Sequence, residues 1–565
     1  MHRHALRHFI LLLTLALGSL PAFAQVTYRS IPVSEFLDKM KSGWVGQMAG
    51  VGWGGPTEFR WKGQIIPDDK MPLWTPDMIN QFNQDDIYVE MTFVRTLEEY
   101  GLDADLRQAG IDFANSEYAL WHANRYGREN LRRGIAPPDS GHPQFNSHAD
   151  DIDYQIEADF SGLIAPGLPN FAIALGEKFG RLMNYGDGLY GGQFVGGMYA
   201  EAFFESDPVK IVQAGLKCIP PESQYAETIR DVLAWHAESP DDWQAVWEKI
   251  NEKYQKNLAY RRFSCGGPDS DFNIDAKING AYIVMGLLFG KGDLDQTIRI
   301  ATRCGQDSDC NPASAGGILF TTVGYSHLPE RFTSALNEEN KFSHTAYNFP
   351  ALIDVCSRLT RAAVLQAGGR IETDANGNEI FVIPNLPPKP SPLESCWEPR
   401  PPAGSRFTDK EKAKITHLPF TEAFQQKMAK ALEQFAPGWS ISQCGEDMNP
   451  GRLDAFQGRA NVLLTHPLNQ EQPCILRRTI EVPSGGKTIL HLLVNHHPQG
   501  DWVLIVKANG EEMYHNTIGV IEGWIGVNVD LSRFAGQAVN VEMLNQANGW
   551  AFEAAYWGEI RVESQ

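Results

Sequence analysis

Several features are missing from this 565-residue chain, and each absence removes a class of protein. No C-x-x-C pair occurs among its eight cysteines, at 218, 265, 304, 310, 356, 396, 444 and 474, so zinc ribbons and thioredoxin-type redox sites have no support. A chain of this size can bury a core without staples, and the cysteines are expected mostly as buried thiols, with one or two bridges open. Positive charge is short: 49 Lys and Arg stand against 69 Asp and Glu, giving −20. Such a field repels phosphate backbones and anionic lipid, which argues against a nucleic-acid or membrane-surface partner. No apolar run reaches the ~20 residues of a spanning helix. Tandem repeats and low-complexity tracts are also absent.

What is present begins with an address. Arg3 and Arg7 precede an apolar stretch from Phe9 to Leu17, and Pro21-Ala22-Phe23-Ala24 supplies a small-x-small cleavage site. Residues 1–24 are expected as a signal peptide, which implies a secreted or periplasmic protein. Residues 25–383 read as helical. Phe36, Met40, Trp44 and Met48 form one stripe behind Ser34; Ile87, Met91, Val94 and Leu97 form a second, ended by Gly101. Ile274, Ile278, Ala281, Met285 and Leu288 form a third, ended by Gly290. Prolines then crowd residues 384–404, predicting a stiff linker. Residues 405–565 read as a short helix over 421–435 and then several strands, with Asn509-Gly510 as a hairpin turn, which predicts an antiparallel β-sandwich. The 14 tryptophans and the aromatic closing run 549–558 would suit sugar stacking or a sandwich core equally.

Acidic residues cluster in three helical-region motifs. Gly46, Gly50, Gly52, Gly54, Gly55 and Pro56 predict a tight loop ending the first helix and delivering Glu58, with Trp53 and Trp61 beside it. Asp85 and Asp86 open the second striped helix, where negative charge also simply complements a helix start. Asp307 and Asp309 precede a small-residue helix, with Asn311 as its expected cap and Pro312 as its first residue. A D-x-D loop suits hard cations. No Lys or Arg lies within these motifs, so convergence of Glu58, Asp85, Asp86, Asp307 and Asp309 would call for a divalent cation. Weaker substrate-contact candidates are Trp53 beside Glu58, then Asp150 and Asp159 from a polar stretch that also holds Asn146, His148, Asp151 and Asp153, and Asp271 and Asn279 around the third striped helix. His496-His497 reads as a turn.

The order Gly-rich loop with P-x-E, acidic pair at a helix start, then G-x-D-[ST]-D before a small-residue helix resembles the ADP-ribosylglycohydrolase family over about residues 35–330. That resemblance implies an all-α bundle with a two-magnesium site, though another divalent ion would fit. It also implies hydrolysis at an anomeric carbon. By resemblance, Asp85, Asp86, Asp307 and Asp309 fall on metal-ligand positions and Glu58 on the acidic position linked to catalysis, where it would handle protons or orient the water. Departures are visible: Gln84 and Ile87 stand where threonines usually bracket the pair, and Ser308 and Cys310 where threonines usually follow the last aspartates. The region after residue 404 resembles galactose-binding-like accessory domains of carbohydrate enzymes. The expectation is a secreted metal-dependent glycosidase acting on a glycan or a ribosyl or furanosyl compound. A carbohydrate-binding protein with a decayed site, and an extracytoplasmic ADP-ribosyl hydrolase, remain as alternatives.

Overall fold

The computed structural model describes residues 26–264, 270–519, 523–549 and 552–565. The expected signal peptide, Cys265 and Trp550 lie outside the described residues. By internal contacts the chain divides into two units, residues 1–416 and 417–565.

The first unit is helical. The stripes predicted from sequence are the buried faces of Val33–Gly54, Asp85–Tyr100 and Ala276–Gly290. Gly101 ends the second with φ +81°, a conformation open to glycine at little cost. The Ala276–Gly290 helix is buried on every side, so it is a core helix and has no solvent stripe. Asp275 caps it by accepting from Lys277 N.

Two expectations change at the first and last motifs. The Gly-rich segment is not a loop; it remains helical through Gly54. Glycines 46, 50 and 54 recur every fourth residue; the first two face the Cys310–Val323 helix and Gly54 faces Ser308 and Asp309 just before it. A Cβ on Gly50 would stand 2.1 Å from the Pro312 carbonyl oxygen. Tertiary contact therefore outweighs glycine's ~1 kcal/mol helix penalty. The last-motif helix also starts earlier than expected, at Cys310 behind Asp309, while Asn311 donates to Asn279 Oδ1 at 2.9 Å. Besides its helices the unit carries a small antiparallel sheet, Thr27–Pro32, Glu379–Asn385 and Arg370–Thr373 in that order, which periodicity had not indicated.

The proline-rich segment is pinned along this unit. Ser391 accepts from Gln193 Nε2 at 2.8 Å, Glu394 pairs with Arg181 at 2.6 Å, and Asp139 accepts from Ala403 N and Ser405 N at 2.9 and 2.7 Å. The expected linker is thus a strap, and the division between units falls at Thr416.

The second unit opens with the Phe420–Phe435 helix and is otherwise two five-stranded antiparallel sheets. One has the order Glu511–Ile518, Trp502–Ala508, Ala538–Gln546, Cys474–Glu481, Ser440–Ser442. The other runs Ile525–Asp530, Thr488–His496, Ala555–Ser564, Arg459–Thr465, Gly451–Phe456. Trp502 and Trp557 are buried among Leu476, Val494 and Val541 in the core of the sandwich. Asn509 and Gly510 both take positive φ, 51° and 85°, as a two-residue hairpin turn requires. The residues after His496 form a turn closed by Gly500 N donating to His497 O. All seven described cysteines are thiols, most of them buried.

Candidate active site

Packing of the Val33–Gly54 helix on the Cys310–Val323 helix brings the chain segments that follow and precede them together. Thr57 Oγ1 lies 2.8 Å from Ser308 Oγ, and Phe59 N donates to Gln306 O at 3.1 Å. Gln306 N in turn donates to Trp61 O at 3.0 Å. These bonds fix Glu58 beside Asp307 and Asp309. The start of the Asp85–Tyr100 helix meets the same place: Cys310 Sγ donates to Asp86 Oδ2 at 3.1 Å.

The result is one acidic floor. Asp85, Asp86 and Cys310 have ligand atoms within 4.8 Å of one another, and so do Asp307, Asp309 and Cys310. The thiol belongs to both groups. Above the floor lies a cleft of about 390 Å³, lined by Glu58, Asp85, Asp307 and Cys310, with an apolar wall from Phe59, Ile152, Ile156 and Phe272 and a rim at Trp121 and His122. Phe59 and Phe272 pack at 5.1 Å, and Lys62 lies over the Phe272 ring.

The electrostatics are those of crowded, buried negative charge. Partial withdrawal from water, then the carboxylates of Asp309 and Asp85, push Glu58 up to about 8. Burial, then Asp309, raises Asp85 to about 6. Burial lifts Asp86 well above the usual carboxylate range, reinforced by Asp85 and Asp309; Asp307 is lifted likewise by burial, Asp309 and Glu58. Asp86 Oδ1 and Asp307 Oδ1 are buried without a hydrogen-bond partner. Unpartnered buried carboxylate oxygens are costly, and they are where a cation's coordination would be completed. The oxygen donors suit a hard divalent ion, and the thiol adds one softer donor.

A further layer of acids lies beneath. Glu90 accepts from Gln47 Nε2 at 2.6 Å and Phe160 N at 2.8 Å; Asp159 accepts from Tyr199 OH at 2.8 Å. Asp159, expected at the substrate, is in this buried layer. The other weaker candidates also sit away from the cleft. Trp53 is buried, with its indole N–H on Pro72 O at 2.7 Å and its ring on Trp74. Asp150 is buried close to Asp275 and Lys277. Asp271 is exposed outside the cleft lining, and Asn279 is buried, donating to Asn273 O and Asp275 O. From the same polar stretch the cleft takes Asp153 instead, which accepts from Ala123 N and Asn124 N at the start of the His122–Arg132 helix. Burial, then Asp151, pushes Asp153 up to about 8. Among the cleft residues that the motifs did not mark as site residues are Cys310, Asp153, His122 and Phe272.

The first unit is helical and holds a carboxylate-floored cleft, and the second is a β-sandwich. The ADP-ribosylglycohydrolase family model matches residues 32–366, and the chain belongs to that family. Membership points to a hydrolase. Among solved structures, one described as an ADP-ribosylglycohydrolase-related protein complex is 14% identical, covering 58% of this chain and 99% of that one, at a TM-score of 0.37. The second unit has its own likenesses. A CBM22-1 xylan-binding domain from Paenibacillus barcinonensis is 13% identical over 23% of this chain and 86% of that one, TM-score 0.18. A CBM61 domain in complex with β-1,4-galactotriose is 14% identical over 24% and 94%, TM-score 0.18. No curated protein matches the chain in sequence. No helix among the described residues is long and apolar enough to cross a membrane.

Proposed function

We propose that this is an exported, divalent-cation-dependent glycosidase that hydrolyses a bond at an anomeric carbon, in a glycan or a ribosyl or furanosyl compound. The observation that carries the reading is the pair of ligand groups sharing Cys310 on the cleft floor, with Asp86 and Asp307 oxygens left unpartnered. Asp85, Asp86, Asp307 and Asp309 would hold magnesium or a similar ion, two ions in the arrangement the family resemblance implies, with the Cys310 thiol in reach of both. Such ions supply charge neutralisation and polarisation of oxygen ligands.

The chain's own residues supply the rest. Phe59 and Phe272 offer an apolar wall for a sugar face, and the rim residue Trp121 can stack on an outer ring. Glu58 lines the cleft beside the acidic floor, where its carboxyl can donate a proton to the departing glycosidic oxygen. In the overall reaction the anomeric carbon–oxygen bond breaks, a water oxygen bonds to that carbon, and the water's proton replaces the one Glu58 has given. In the sandwich, Phe552 is exposed and stacks face to face with His497 at 4.6 Å, a flat surface suited to a sugar ring.

The test is sugar release. Chelator-stripped protein is incubated with glycans, nucleosides and ADP-ribosyl conjugates, with and without added magnesium. The proposal expects magnesium-dependent release from at least one glycan or furanoside. Release confined to ADP-ribosyl conjugates would favour the ADP-ribose reading that family membership supports. No release from any of them would favour the binding-only reading.

A further inference from the structure

The rim of the cleft carries a second cluster that the acidic floor does not explain. His148 Nδ1 lies 2.7 Å from Asp151 Oδ2, and His122 Nδ1 lies 3.6 Å from the same oxygen. The three ligand atoms are all within 4.8 Å of one another. The imidazoles meet at 5.2 Å with their planes 65° apart, so their Nδ1 atoms converge on one point without stacking. The Asp151 side chain is fully withdrawn from solvent, while about a quarter of each imidazole is exposed, 26% and 23%.

The cluster is held from outside itself. His122 takes φ +48°, unusual for a residue with a Cβ, at the first position of its helix. Asp153 clamps the next two amides, and the His122 ring stacks on Phe272 at 5.6 Å. His148 N donates to Asn146 Oδ1, and Asn146 is fixed by donating to Ala123 O and Met183 O. A strained backbone maintained by surrounding bonds is a frequent mark of a functional position.

We propose that His122, His148 and Asp151 form a separate cation site, for a borderline divalent ion of the zinc class. Zinc bound tetrahedrally at 2.0–2.1 Å sets its ligand atoms about 3.3 Å apart, and the two separations from Asp151 Oδ2 bracket that value. Two imidazole nitrogens and one carboxylate oxygen favour zinc-class ions over magnesium. Three protein ligands leave one coordination position, and His122 lines the cleft, so that position is open to water or a substrate hydroxyl. The site differs from the acidic floor in donors and in residues, and it stands whether or not the proposed glycosidase reading does.

The experiment uses the whole protein. It is stripped with chelator, loaded with zinc chloride, dialysed against excess magnesium, and its zinc counted by elemental mass spectrometry. Wild type is compared with His148→Gln, His122→Gln and Asp307→Asn, each checked by its metal-free melting temperature. The wild type should retain one zinc per chain that both histidine variants lose and Asp307→Asn keeps. X-ray absorption on zinc-loaded wild type should show imidazole scattering from two rings. Equal zinc in wild type and folded histidine variants would overturn the site and leave a hydrogen-bonded His–Asp–His clamp. Loss of the zinc in Asp307→Asn would assign it to the acidic floor. Should both histidine variants fail to fold, absence of imidazole scattering in the wild type would overturn the site alone.

Discussion

Glu58 and Asp307 line the same cleft, and the proposed function gives them different duties that single substitutions separate. Glu58→Gln keeps shape and loses a proton, so turnover should fall by about 10²–10⁴-fold with metal content unchanged. Asp307→Asn should lose ion and turnover together. If Glu58→Gln instead lowers the melting temperature and leaves turnover intact, Glu58 only braces its loop. Cys310 extends the argument to ion identity. In cobalt-substituted protein a thiolate ligand gives a near-ultraviolet charge-transfer band, and Cys310→Ser should abolish it while cobalt still binds. A band equal in both would remove the thiol from the coordination sphere. The carboxylates of this floor were legible because they come in short local patterns at helix starts. The walls were not: Phe272, His122 and Asp153 come from separate segments, and nothing in their spacing marks them as neighbours. Trp53 shows the converse, since an aromatic next to a motif can be core, with its N–H spent on Pro72.

Among the elements, the Val33–Gly54 and Cys310–Val323 helices govern the site through their closeness. Gly50→Ala would drive a Cβ into the Pro312 carbonyl. Overpacking of this kind costs roughly 1–3 kcal/mol or more, and here it would also push the Asp307–Cys310 segment away from Asp85. The variant should melt lower and bind magnesium more weakly than wild type, and a melting curve with a metal titration checks both. The glycines were visible in the sequence, but their four-residue period is a helix-contact row, and composition alone suggested a loop. The strap makes a second element-scale case. Proline density indicated stiffness correctly, yet could not reveal the partners Arg181, Gln193 and Asp139. Limited proteolysis should therefore cut near residues 416–419 and spare 386–406, giving a helical fragment that ends close to Thr416. Primary cleavage inside the strap would show that its bonds do not hold in solution.

The whole molecule is acidic, and a minority of its carboxylates are buried. Burial is the leading cause that lifts Asp85 to about 6, Asp159 to about 7 and Asp153 to about 8, against about 3.9 for an unperturbed aspartate. Folded protein thus keeps protons on these groups that the unfolded chain has released, so their contribution to metal-free stability falls as pH rises through roughly 4 to 8. Melting temperatures of stripped protein should be higher at pH 5 than at pH 8, and magnesium should narrow the gap by replacing protons with an ion. A gap unchanged by magnesium would mean that Asp85 and the other carboxylates of the floor do not face a cation. Legibility at this scale was uneven. Helix stripes and the Asn509-Gly510 turn disclosed both units, whereas the small sheet and several sandwich strands, such as Gly451–Phe456 with its mostly exposed side chains, lack the alternation that marks a strand. The central claim is that the acidic floor binds divalent cations, and equilibrium dialysis of stripped protein against magnesium tests it most directly. The account predicts saturable magnesium uptake by the wild type that Asp86→Asn and Asp307→Asn, folded by melting temperature, each reduce or abolish. No uptake by the wild type, or equal uptake by all three proteins, would contradict it.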